Sequence, residues 1–129
     1  MIVSGEPRLG DVHPDLQRLM REVGRFWDIA IIETLRTKER QAQLFQSGAS
    51  KTMSSKHLAQ QADGLAWAVD VAPLPLDWND IKRFYYFGGF VLGLAKELGL
   101  PIIWGGDWNG NTQVKDQGFN DLDHFERVL

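Results

Sequence analysis

The segment Ser55-Lys56-His57-Leu58-Ala59-Gln60-Gln61-Ala62-Asp63-Gly64-Leu65-Ala66-Trp67-Ala68-Val69-Asp70-Val71-Ala72-Pro73 begins polar, with a histidine, and ends in an apolar run holding one aspartate. Its last eight residues, from Ala66, read as a strand covered on both faces, because Asp70 is flanked by apolar residues without the alternation of a half-exposed strand. A carboxylate there is costly unless a cation or hydrogen bonds hold it. Asp70 therefore needs a partner. His57 precedes it, and a second histidine stands in Asn120-Asp121-Leu122-Asp123-His124-Phe125-Glu126, among further carboxylates. Two histidines and an aspartate make a plausible three-ligand zinc site with a fourth position open to water. On residue chemistry alone, plainer readings compete: a solvated loop His57, a hydrogen-bonded core or rim His124, and a His13 that only caps a helix before Pro14.

Composition narrows the choices. With 129 residues and 43% hydrophobic content, the chain is long enough for one domain with a real core, taken as residues 1–129. A net charge of −3 with interspersed signs supplies no basic stripe, so neither nucleic acid nor an acidic membrane is an expected partner. A monomer is expected. Without cysteine there is no disulfide and no thiolate, so any metal is held by nitrogen and oxygen. The sequence has no apolar run long enough for a membrane span, and its N-terminus lacks the basic and apolar regions of a signal peptide. Synthesis in the cytoplasm is expected.

Along the chain, Pro14 suits the start of a helix capped by Asp11 or His13, burying Val12, Leu16, Leu19, Met20 and Val23 and ending at Gly24. Residues 28–34 read as a strand, and a helix from Thr37, stopping at Gly48, is expected to bury Leu44 and Phe45. Residues 49–62 read as a long surface loop carrying His57. Asp77 is expected to cap the longest helix, from Trp78 to Leu98, closed by Gly99. Short strands at 101–104 and 122–129, the latter with His124, complete a small α+β domain whose central, partly antiparallel sheet packs against helices.

Ser55-Lys56-His57, Ala68-Val69-Asp70-Val71-Ala72-Pro73, Trp104-Gly105-Gly106-Asp107-Trp108 and Asp121-Leu122-Asp123-His124-Phe125 follow the order seen in the M15 family of zinc metallopeptidases. Those motifs, with Glu33-Thr34-Leu35-Arg36-Thr37, Gln41 and Leu44-Phe45, most resemble its phage endolysin branch, the L-alanyl-D-glutamate peptidases, over nearly the whole chain. VanY-type D,D-carboxypeptidases are relatives. The resemblance implies a hedgehog/D,D-peptidase-like fold and one zinc per chain on His57, Asp70 and His124. The family pattern S-x-H-x-x-G-x-A-x-D has a shorter His-to-Asp spacing than this chain, where Gly64 is displaced; Asp63 is thus an alternative ligand.

The resemblance further implies a zinc-bound water that attacks a peptide carbonyl of the peptidoglycan stem, with Asp121 as the catalytic carboxylate. Asp123 is the runner-up base, expected to point away if its segment is extended. Arg36 suits a substrate carboxylate or the developing oxyanion. Ser55, Gln41 and Asp107 are weaker candidates for substrate or supporting contacts. Trp104 reads as core and Trp108 as a cleft wall. An endolysin-like enzyme made without a signal peptide would act on the cell wall after release. The competing readings are a D,D-carboxypeptidase of the same family and a non-catalytic wall-binding module.

Overall fold

Pro14 starts helix α1, Pro14–Val23, because its ring is preset for the first turn, and the imidazole of His13 caps it by accepting from the Asp15 N–H at 3.0 Å. Leu16, Leu19, Met20 and Val23 recur on one face, and all are fully buried. This is a computed structural model, which describes residues 2–50 and 52–129. Helix α2, Lys38–Gln46, is capped by Thr37, whose hydroxyl accepts from Arg40 N–H at 3.0 Å. It does not bury its apolar residues as expected: Phe45 is 45% exposed and Leu44 half-buried, while Gln41 is the buried residue. Helix α3, Ile81–Glu97, starts three residues later than expected. Asp80 caps it by accepting from Arg83 N–H at 3.2 Å, whereas Asp77 closes a turn onto Asn79 N–H at 3.0 Å. Trp78 is thereby left outside the helix.

Five strands, β1 (Val3–Ser4), β2 (Ile29–Glu33), β3 (Ala68–Pro73), β4 (Ile102–Gly105) and β5 (Asp121–Arg127), form one sheet in the order β1-β2-β3-β5-β4. Among the pairs of these five described strands, only β1–β2 is parallel. The architecture is the expected small α+β domain. The short β1 and the 3-10 helix Glu6–Asp11, which tucks Leu9 into the core, were not legible in the sequence pattern.

Register decides what the sheet presents. Ile31 pairs with Val71, and Val69 with Phe125; these side chains enter the core that Phe87 and Val91 of α3 and Leu16 and Met20 of α1 complete. On the other face, Glu33 pairs with Asp70 and Asp70 with His124, so three titratable side chains form a row across β2, β3 and β5. Trp104, 2% exposed, holds the last turn of this arrangement by donating its indole N–H to Leu122 O at 2.8 Å. Its ring fills the space beside Gly88 and Gly106, where a Cβ would overlap it.

Candidate active site

The segment between α2 and β3 folds back over the Asp70 row. Lys56 O accepts from Trp67 N–H at 2.7 Å, and Gln60 N–H donates to Leu65 O at 3.1 Å. The extra residues between His57 and Asp70 thus form an exposed excursion that closes on itself. His57 remains fixed at its base, 1% exposed, and is not the solvated loop histidine that the polar sequence suggests. Asp63 lies out on that excursion, where its carboxylate accepts from Leu65 N–H at 3.0 Å. Asp70, not Asp63, meets the histidines.

Hydrogen-bond chemistry assigns both imidazole tautomers. His57 Nδ1 is 2.8 Å from Thr34 O, which can only accept, so Nδ1 carries the proton and Nε2 presents a lone pair. His124 Nε2 is 2.8 Å from Glu126 Oε1, so in the neutral ring Nδ1 is the bare nitrogen. Both bare nitrogens face Asp70 Oδ1, at 3.1 and 3.2 Å. Lone pairs directed at a carboxylate oxygen repel unless a proton or a metal ion lies among them. One ligand atom from each of His57, Asp70 and His124 lies within 4.8 Å of the others. Two imidazoles and a carboxylate, each ring anchored through its second nitrogen, suit a divalent transition ion.

Charge points the same way. Burial pushes the Asp70 carboxyl up, but hydrogen bonds from His124 and His57 outweigh it and hold it well below the usual range. Burial also works against a charged His124, yet its bonds to Asp70 and Glu126 push the imidazole up to about 10. A site that holds a proton this firmly favours a cation in the same place. Glu33 is held low by its hydrogen bonds to Arg36, against burial.

A cleft of ≈ 660 Å³ opens over this cluster, lined among others by Arg36, Ser55, His57, Asp70, Trp108, Asp121 and His124. Asp121 Oδ2 is 3.8 Å from His124 Nδ1. Asp123 also lines the cleft, contrary to the expectation from strand alternation. The cause is an irregularity in β5, whose pairing jumps from Trp104–Phe125 to Gly105–Asp121, so the intervening residues bulge. Burial, the Asp70 charge and a hydrogen bond with Asp121 push Asp123 up to about 8. Arg36 spends three of its five N–H donors on Glu33, at 2.7 and 2.8 Å, and on Gln41, at 2.6 Å. Trp108 stands over His124, ring centroids 5.4 Å apart, and Ser55 Oγ accepts from His57 N–H at 3.1 Å.

Two expected contact residues lie elsewhere. Gln41 is fully buried and outside the cleft lining, its amide donating to Ser50 Oγ and Thr52 O while its carbonyl receives Arg36. Asp107 is 5% exposed and ties its own loop by accepting from Thr112 N–H at 2.9 Å. Thr34 and Glu126, which orient the two imidazoles, were not singled out from sequence. For Glu126 a signal existed, because it stands two residues after His124 on one strand and so shares its face.

The model of the family described as phage L-alanyl-D-glutamate peptidase matches residues 3–128. The chain belongs to this family. An L-alanyl-D-glutamate peptidase of Escherichia phage T5 is 30% identical over 136 residues, covering 97% of this chain and 95% of that relative. A second, of Listeria phage A118, is 41% identical over 93 residues, which cover 72% of this chain but 31% of that longer protein. The crystal structure of the Serratia marcescens L-Ala D-Glu endopeptidase ChiX matches with a TM-score of 0.74 and 29% identity, covering 95% of this chain and 85% of that one. In this member of the phage L-alanyl-D-glutamate peptidase family, the cleft over His57, Asp70 and His124 is the candidate active site. Among the described residues, no helix is long and apolar enough to cross a membrane.

Proposed function

We propose that the chain is a zinc-dependent peptidoglycan peptidase that hydrolyses the L-alanyl-D-glutamate bond of the stem peptide. The observation that carries this reading is the pair of anchored imidazoles whose bare nitrogens converge on Asp70 Oδ1. Zinc on His57, Asp70 and His124 supplies Lewis acidity and lowers the pKa of water to about 7.

The chain's own groups do the rest. Asp121 takes the proton from the attacking water and returns it to the leaving amine of D-glutamate. Asp123 stands beside Asp121 in the cleft, where burial and the neighbouring carboxylates favour its protonated form. Arg36 offers its two uncommitted N–H groups to a substrate carboxylate, and Gln41 acts by holding Arg36 and the 50–52 segment in place. Trp108 and Ser55 form the wall that excludes water from the scissile bond.

Mass spectrometry of purified peptidoglycan after digestion tests this assignment. New L-alanine carboxyl termini and D-glutamate amino termini are expected. Free D-alanine as the sole product would make the chain a D,D-carboxypeptidase, and zinc binding without any cleavage would make it a wall-binding module.

Glu126→Ala probes the support of His124. Loss of a carboxylate that orients a ligating histidine costs about 10- to 100-fold in metal affinity. Competition with a chromophoric chelator is expected to show that weakening; unchanged affinity would remove Glu126 from the metal centre.

A further inference from the structure

A second cavity, of ≈ 340 Å³, adjoins the cleft. Its volume falls within the range of about 300–1,000 Å³ typical of small-ligand sites. Trp78, Ile81 and Tyr85 wall it at the start of α3, Leu122 contributes from β5, and Asn120 and Asp123 add polar groups. Trp78 lies flat against Phe84, ring centroids 5.4 Å apart and planes 9° from parallel, yet it is 49% exposed. One face of the indole is thus covered and the other is available. Ile81 beside it is also 49% exposed.

We infer that this cavity binds the N-acetylated sugar to which the stem peptide is attached, placing Trp78 as a stacking platform for the pyranose ring. The inference rests on the peptidase reading above and names a further part of its substrate. Asp123 lines both cavities, so the two adjoin at this residue, next to His124. In peptidoglycan the nitrogen of L-alanine is acylated by the lactyl group of N-acetylmuramic acid. The pyranose ring therefore lies one amino acid and one lactyl unit from the scissile bond, roughly two residue lengths of about 3.3–3.6 Å each. A flat aromatic face takes the C–H side of a pyranose, while a side-chain amide and a carboxyl take its hydroxyls and acetamido group. The opposite side of the bond suits this cavity less well: the peptide beyond D-glutamate carries ionised carboxylates, and among the described residues no cation lines the cavity.

The test compares two substrates, an N-acetylmuramoyl stem peptide and the same peptide without its sugar, in the zinc-loaded parent, Trp78→Ala and Trp78→Phe. The parent is expected to prefer the sugar-bearing substrate. Trp78→Ala should lower kcat/KM for that substrate about tenfold, mainly through KM, as removal of an aromatic anchor does. Its rate on the free peptide should stay within about twofold of the parent, a split that general destabilisation cannot produce. Trp78→Phe keeps an aromatic face and should recover most of the loss. Equal loss on both substrates would assign the cavity to the peptide and overturn the proposal, as would equal parental kcat/KM on the two substrates. A parent that cleaves neither would instead overturn the peptidase reading itself.

Discussion

Asp121→Ala is expected to bind one zinc per chain and to fold as the parent does, while turnover falls by a factor of about 10² to 10⁴, the usual value of general-base assistance. Position separates this residue from the metal-holding set. Its side chain is 35% exposed against 13% for Asp70, and it approaches His124 Nδ1 at 3.8 Å from the cleft side. It can therefore exchange protons with water and substrate. Metal analysis and steady-state rates on one preparation separate the roles, because loss of zinc in this variant would make Asp121 a ligand. Asp123→Ala is the informative companion. Strand alternation alone would make it a silent control, but the β5 bulge brings it into the cleft beside Asp121. Removing it leaves the Asp121 carboxylate in place, so part of the turnover should survive. A dead Asp123→Ala beside an active Asp121→Ala would exchange the two assignments.

Asp123 also shows where the sequence stopped being informative. An apolar run such as Ala66–Pro73 identifies its strand and the anomaly of its aspartate, because both follow from local pattern. The helix starting at Pro14 and the stop at Gly99 were legible for the same reason. Pairing register is not local. The row Glu33–Asp70–His124 and the bulge that turns Asp123 into the cleft depend on how β2, β3 and β5 are aligned. The sequence reading placed the cap of the long helix at Asp77, but Asp80 caps it, three residues on, and Trp78 is left outside the helix. Of the two roles open to Gln41, the structure gives it the supporting one: it is buried, and its amide is bonded to Arg36, Ser50 and Thr52.

Asp70→Ala is expected to lose its zinc altogether, and with it all measurable activity. The carboxylate stands between two imidazoles whose protonated nitrogens are committed to Thr34 O and Glu126. Its removal takes away the anionic ligand and the counter-charge that faces both bare nitrogens. His57→Ala and His124→Ala each remove one nitrogen ligand and should also lose most of the metal. Asp63→Ala, on the exposed excursion, should keep zinc and turnover, because its carboxylate is engaged by Leu65 N–H away from the cluster. A thermal readout makes the comparison independent of catalysis. Zinc at a hundredfold excess over its Kd stabilises a folded chain by about 2.7 kcal/mol, so the parent's unfolding temperature should rise with added zinc while that of Asp70→Ala stays fixed. Chelation should bring the parent's unfolding temperature down and abolish turnover, and zinc should restore both. If Asp63→Ala is the variant that loses the metal while Asp70→Ala retains it, the ligand lies on the inserted loop and the assignment of Asp70 fails.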